Sequence, residues 1–108
     1  MTDLEITRLC AEAMDFGAEL SHGVFAIYEK APGGKMIQHI FNPLQDDAQA
    51  MALMKRFSLS VWGNKNSAGE WRYHAEFGHE PTALGHGDTY NRAICDCVAN
   101  ECVAKAQQ

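Results

Sequence analysis

Two histidines and two carboxylates lie close to glycines within one short segment, residues 79–88. Imidazole and carboxylate groups that converge can hold a divalent ion such as Zn²⁺. The segment has neither HExxH nor paired CxxC spacing, and it is short for closing a metal site alone. We therefore expect a polar surface loop that binds no metal. The weak metal candidates that remain are His79, Glu80, His86 and Asp88.

The four cysteines do not have the spacing of a redox motif. Cys95 and Cys97 are separated by one residue, and on a helix two side chains at that spacing point about 200° apart. In a reducing compartment, free cysteine commonly packs as a small buried hydrophobe. We expect that state for all four thiols. They belong to Cys10, Cys95, Cys97 and Cys102.

The five histidines could act as general bases, but no local signature of nucleophilic catalysis accompanies them. The GxSxG nucleophile elbow is absent, and Gly33-Gly34 belongs to a turn signal that cannot supply a phosphate-binding P-loop. We expect a protein that is not an enzyme and carries no cofactor. A metal-dependent enzyme using residues 79–88 is the lowest-ranked alternative.

The polar side of the second predicted hairpin is a candidate binding face. Residues 70–77 alternate cleanly, which places Arg72, His74 and Glu76 on one face of a strand. Trp62, in the preceding strand, joins that face if its strand stays regular. Since Trp and Arg are enriched at protein interfaces, this face suits a protein partner. The alternative is that a helix covers the face and Trp62 belongs to the core.

The elements that position these side chains follow from caps and periodicity. Thr2 and Glu5 form a capping box at the start of an amphipathic helix. Residues 24–41 give two strands around a Pro-Gly-Gly turn. Asn42 can cap the central helix, with Asp46 as the alternative cap after an irregular turn.

The last part of the chain is predicted to be a loop followed by a helix. The composition of residues 78–87 indicates the loop, and Asp88 or Thr89 caps the helix. The resulting order is α-β-β-α-β-β-α. We expect a single α+β domain over residues 1–108, with helices packed on a four-stranded, mainly antiparallel sheet as a sandwich.

The formal net charge of −5 argues against a protein that binds nucleic acid directly, because that affinity comes from clustered Lys and Arg. An acidic surface favours basic protein partners. No apolar run is long enough to cross a bilayer, and the N-terminus does not have the pattern of a signal peptide. The sequence therefore predicts a cytoplasmic protein without membrane contact.

Three segments resemble the phage ABA sandwich domain family, with a looser likeness to NinX-like phage proteins. They are residues 4–14 (LEITRLCAEAM), residues 41–50 (FNPLQDDAQA) and residues 90–95 (YNRAIC). The resemblance implies a phage or prophage origin and a sandwich fold. It implies no catalytic residue.

Two functions are consistent with the sequence. The first is a non-enzymatic phage accessory protein that binds a host protein in the host cytosol, with an anti-CRISPR-like inhibitor of host defence as one form. The second is a small-ligand binder, such as a sponge for a nucleotide signal, with its pocket between sheet and helix or at the interface of a homodimer. Its aromatic and basic candidates are Trp62, Arg72 and Arg92.

Overall fold

The computed structural model of the protein describes residues 1–78 and 83–107. It contains helices and antiparallel strands, so the α+β class predicted from the sequence is confirmed. In chain order the elements are α1 (Asp3–Ala13), β1 (Glu19–Ser21), β2 (Val24–Lys30), β3 (Met36–Phe41), α2 (Asp47–Arg56), β4 (Ser60–Lys65), β5 (Trp71–Glu76), β6 (Leu84–Gly87) and α3 (Tyr90–Ala106).

The strands form two separate sheets, and the prediction of one four-stranded sheet is wrong. Sheet A has the order β1-β2-β3 and sheet B the order β4-β5-β6, each with antiparallel neighbours. Each predicted hairpin gains a third strand that the sequence pattern did not reveal. In sheet A, His22 and Gly23 take positive φ angles of 52° and 81° and turn the chain from β1 into β2. This turn makes β1 possible although the strand is only 3 residues long.

The missed third strand of sheet B, β6, lies within the predicted loop of residues 78–87. Its glycines suggested a loop, but they are needed for close packing. A Cβ atom at Gly85 would lie 2.2 Å from the carbonyl oxygen of Ala93 and 2.3 Å from the amide nitrogen of Cys97. Only a residue without a side chain lets the backbone of α3 approach this strand.

Helix α3 is the centre of the molecule. It contacts β4, β5 and β6 of sheet B, and it also contacts α1 and α2. Because several elements cover it, α3 has no single apolar stripe. Along α3, Ile94 and Val98 are buried, whereas Tyr90 is exposed and Cys102 is half-buried. The remaining buried positions are Ala93, Cys95, Cys97 and Ala99.

Side-chain caps start the helices at the predicted places. The Thr2 hydroxyl accepts from the Glu5 amide, and Thr89 accepts from the Arg92 amide. For α2 the alternative cap is the observed one, since the Asp46 carboxylate accepts from the amide of Gln49. Asn42 instead accepts the Asp46 amide through its carbonyl at 2.9 Å, which makes residues 42–46 a turn. Proper capping contributes about 1 kcal/mol per helix.

All four thiols are free, as expected from the sequence. The Cys10 thiol donates to the Cys95 carbonyl at 3.6 Å, which joins α1 to α3. Contact with Cys95 and burial raise the pKa of the Cys10 thiol. Burial likewise raises the pKa of Cys97 to about 12 from an ordinary value of 9.0. Above pH 9.0 there is therefore a pH range in which both thiols are neutral in the folded protein but ionised in the unfolded chain.

This difference predicts a loss of stability at alkaline pH. A thiol that holds its proton more tightly when folded adds stability below pH 9.0, and that stability is lost as the pH rises toward about 12. We expect the melting temperature to fall over this range, and to fall less steeply in Cys97→Ala, whatever the variant's melting temperature at pH 7. Calorimetry of both proteins at several pH values measures the two slopes. Equal slopes would show that Cys97 makes no contribution.

Candidate functional site

The outer surface of sheet B gathers most of the predicted binding residues. In the strand register Trp62 lies opposite His74, Asn64 opposite Arg72, and His74 opposite His86. Because directly paired residues point to the same side of a sheet, these side chains share one surface. We call it the Trp62 face. Its members are Trp62, Asn64, Arg72, His74, Glu76 and His86.

No helix covers the Trp62 face in the part of the chain that the structure describes. Helix α3 packs against the opposite face of sheet B, where Ala75 is fully buried and Gly85 touches the helix backbone. Trp62 is 40% exposed. The alternative that placed Trp62 in the core is therefore wrong, and the indole is available to a partner.

The aromatic groups of this face are ordered by mutual contact. The Trp62 ring stacks on the His74 ring, with centroids 5.5 Å apart and planes 29° apart. His74 in turn meets His86 edge to face, with centroids 5.0 Å apart. The row crosses all three strands. A rigid aromatic platform loses little conformational entropy on binding, which favours it as an anchor.

Hydrogen bonds fix the central histidine. Nδ1 of His74 lies 2.7 Å from Nδ1 of His86, and Nε2 of His74 lies 3.1 Å from Oδ1 of Asn64. An amide oxygen only accepts, so Nε2 of His74 carries the proton and donates it to Asn64. In the neutral ring Nδ1 of His74 is then an acceptor, and Nδ1 of His86 donates to it.

The edge of sheet B beside this face is closed by α3. The amide of His86 donates to the Asp96 carboxylate at 3.0 Å, and the side-chain amide of Asn100 donates to the Leu84 carbonyl at 2.7 Å. These bonds occupy groups that a further strand would need. The strand edge at β6 is thus blocked to a further strand, whereas the side chains of the Trp62 face stay accessible to a partner.

Arg92 does not join the other predicted residues. It lies in α3, where its guanidinium donates to the Asp3 carboxylate of α1. That hydrogen bond raises the pKa of Arg92. The aliphatic stem of Arg92 packs against Gly87, because a Cβ atom on that glycine would lie only 2.4 Å from Cγ of Arg92. The expectation that Trp62, Arg72 and Arg92 converge on one ligand is wrong, because α3 holds Arg92 away from the Trp62 face.

Of the four weak metal candidates, two lie within the residues that the structure describes. His79 and Glu80 lie outside the described residues, whereas His86 is in β6 next to His74 and Asp88 follows the end of that strand. Within residues 1–78 and 83–107, no three His, Cys, Asp or Glu side chains form a cluster that could hold an ion. Sequence reasoning missed the pairing of His74 with His86 because β6 was predicted to be a loop.

Sheet A presents a second exposed surface that sequence reasoning did not single out. Ala26 pairs with Ile40, and Lys30 pairs with Met36, so the alternate residues of β2 and β3 share a face. Its large apolar members are exposed by 43–61%. They are Val24, Tyr28, Met36 and Ile40. The period-two pattern of both strands was the signal that could have shown this face.

A groove of about 590 Å³ lies between α2, the start of α3 and β4. Its apolar wall includes Met51, Met54 and Ile94, and its rim includes Asp47. Asn91 donates to the Asp47 carboxylate at 2.8 Å and so connects the two helices at the rim. Among the described residues lining it there is no Lys or Arg. The groove therefore suits an apolar ligand better than a phosphate.

His22 and His39 lie apart from the Trp62 face. His39 bonds to the Glu29 carboxylate at 3.0 Å on sheet A, and Nδ1 of His22 lies 3.0 Å from the hydroxyl of the adjacent Ser21. Catalytic triads also need an acid that orients the histidine. The hydrogen bonds of the described residues give His22 no carboxylate partner.

No helix among the described residues is both long and apolar enough to span a membrane.

Comparison with known proteins identifies the kind of fold. No protein-family model matches the chain. No curated protein matches its sequence. In structure the chain is similar to a phage protein from Bacillus cereus ATCC 14579, with a TM-score of 0.59 and 15% identity over 100% of this chain and 90% of that chain. The chain therefore shares its overall α+β fold with a phage protein.

Proposed function

We propose that the protein is a non-enzymatic phage or prophage accessory protein that binds a host protein in the host cytosol through the Trp62 face. The observation that carries this proposal is the uncovered aromatic row on sheet B, with Trp62 40% exposed and stacked on His74. An exposed indole on a rigid sheet is the type of residue on which binding energy concentrates.

The polar surroundings of the indole also favour a protein partner. Arg72 and Glu76 flank His74 in the same strand and point to the same side, so the aromatic row has a charged group of each sign beside it. Interfaces combine an aromatic centre with a polar rim in this way. The net charge of −5 adds a long-range preference for a basic partner, such as a host protein that binds nucleic acid.

The phage origin is supported by two lines of argument. The fold is similar to that of a phage protein, and the segments at residues 4–14, 41–50 and 90–95 resemble the phage ABA sandwich domain family. Small acidic phage proteins that act on host defence include anti-CRISPR-like inhibitors. An acidic protein with an aromatic anchor could occupy the basic nucleic-acid channel of such a target.

Affinity capture from a lysate of the host bacterium tests the proposal. Tagged wild-type protein and Trp62→Ala are compared at physiological salt, with Trp71→Ala as the matched control because Trp71 is exposed on the opposite face of the same sheet. We expect a protein that wild type and Trp71→Ala retain and Trp62→Ala loses. A partner kept equally by all three, or no specific partner, would contradict the proposal.

The groove between α2 and α3 favours a second candidate function, the binding of a small apolar ligand. A ligand that binds only the folded state raises its melting temperature. Thermal shift against apolar compounds and nucleotides should then give shifts with apolar compounds alone, and Val61→Trp, which fills the groove wall, should remove them. Flat curves throughout would exclude this function, and shifts with nucleotides would point to a nucleotide sponge.

A further inference from the structure

We propose that His74 and His86 together form a binding site for a divalent transition-metal ion such as Zn²⁺. This site goes beyond the proposed protein-binding function and does not depend on it. Zn²⁺ and its neighbours in the first transition series prefer imidazole nitrogen among protein ligands. The two rings belong to residues that are directly opposite each other in β5 and β6.

The geometry of the two nitrogens is close to what an ion requires. Nδ1 of His74 and Nδ1 of His86 face each other at 2.7 Å. With Zn–N bonds of about 2.05 Å and a tetrahedral angle, two ligand nitrogens lie about 3.3 Å apart. The rings would therefore separate by about 0.6 Å, which small side-chain rotations on adjacent strands can provide.

Asn64 prepares His74 for this role. Its Oδ1 accepts the Nε2 proton of His74 at 3.1 Å, which leaves the Nδ1 lone pair free. Metal-bound histidines usually donate their second ring N–H to an oxygen in this manner, because the bond fixes both the tautomer and the ring orientation. The orienting partner is thus already in place in the ion-free protein.

His86 must change its tautomer when the ion binds. In the ion-free pair its Nδ1 carries the proton that His74 accepts. Exchange through solvent moves this proton to Nε2, so the neutral ring gains a free Nδ1 lone pair and no net proton is released. His86 is exposed, which gives water access to its ring.

The site has two protein ligands and open positions for water. The nearby Asp96 carboxylate already accepts the amide of His86 at 3.0 Å, and the described residues add no third His, Cys, Asp or Glu ligand. Structural zinc sites with four protein ligands bind more tightly than such a pair can. An ion held here remains able to take further ligands, from solvent or from a bound molecule.

Titration of the metal-free protein with ZnCl₂ tests the site, using calorimetry and NMR of the histidine ring nitrogens. We expect one ion per chain, with Nδ1 of His74 and His86 shifting on binding. His74→Gln and His86→Gln should each abolish this binding. His39→Gln is the matched control, because His39 is also an exposed strand histidine and pairs with Glu29. It should bind as wild type does.

Two further variants test whether the ion lies between these two histidines. Asn64→Ala should weaken Zn²⁺ affinity by about tenfold without changing the stoichiometry, the loss typical of a missing orienting group. His79→Gln should have no effect. Binding that survives in His74→Gln, or that is lost in His79→Gln, would place the ion elsewhere and overturn the proposal. Absence of any Zn²⁺ binding to the wild type would overturn it as well.

Discussion

Replacing Gly85 with alanine is expected to lower the melting temperature by about 15 °C. The new methyl group would lie 2.2 Å from the Ala93 carbonyl oxygen, 2.3 Å from the Cys97 amide nitrogen and 2.6 Å from the Cys97 Cβ. These are mainly backbone atoms of α3, which cannot rotate away as a side chain end can. Overpacking of this kind costs about 3 kcal/mol, and each kcal/mol lowers the melting temperature of a domain this size by about 5 °C.

Gly78→Ala is the matched control for this prediction. A Cβ at Gly78 would have no atom within 4 Å, and this glycine is not among those with positive φ. Its melting temperature should therefore stay within about 3 °C of the wild type. Thermal unfolding followed by circular dichroism measures both variants. Equal stability of Gly85→Ala and Gly78→Ala would mean that the backbone of α3 does not rest on β6.

Replacing Trp62 with alanine is expected to weaken binding of the captured partner by about 30-fold or more. A central tryptophan at an interface contributes about 2 kcal/mol or more on truncation, and 1.4 kcal/mol corresponds to a tenfold change in affinity. Trp62 is exposed and supported by His74 beneath its ring, so its removal takes away both the anchor and its stacking. Calorimetry with the purified partner measures the loss.

Trp71→Ala provides the comparison for binding. Trp71 is 54% exposed and stacks on Tyr73, with the Lys65 ammonium 5.7 Å from its ring centroid. The Trp71→Ala variant therefore loses the same indole group and a similar amount of local packing as Trp62→Ala, but on the other face of sheet B. Its affinity should stay within about threefold of the wild type. Equal losses in both variants would indicate a general effect on sheet B and not a specific contact.

Local signals in the sequence were sufficient to predict most of the elements. Thr2 caps α1 as expected, Thr89 is the observed one of the two caps predicted for α3, and the alternation of residues 70–77 gave the correct faces of β5. Each of these features depends on neighbours a few residues away. At the α2 junction two caps were consistent with the sequence, and Asp46 is the one observed. The choice depends on how the turn at residues 42–46 folds, which is not encoded by a single residue.

The missed strands depend on contacts between distant parts of the chain. Gly85 and Gly87 indicate a loop when only their neighbours in sequence are considered, but they allow α3 to pack on a strand. β1 is too short to show any periodicity. The separation into two sheets likewise follows from packing around α3 and cannot be read from the strand patterns.

The candidate site could be predicted only in part, because some of its neighbours come from distant parts of the chain. The alternation within β5 placed Arg72, His74 and Glu76 together, and Trp62 joined them through the register of β4. His86 was grouped with the loop residues 79–88 because its strand was not recognised, and the structure places it opposite His74. Arg92 was expected at the site for its charge, whereas its salt bridge with Asp3 fixes it elsewhere.

Hydroxyl-radical footprinting of the complex with the captured host protein decides whether the Trp62 face is the binding surface. Trp, Tyr, Met and His side chains react readily, and exposed examples lie on the Trp62 face, on the opposite face of sheet B and on sheet A. If the Trp62 face binds the partner, oxidation of Trp62 and His74 should fall strongly in the complex while Tyr28, Met36 and Trp71 stay as reactive as in the free protein. Protection of Tyr28 and Met36 with unchanged Trp62 would contradict binding through the Trp62 face and assign it to sheet A.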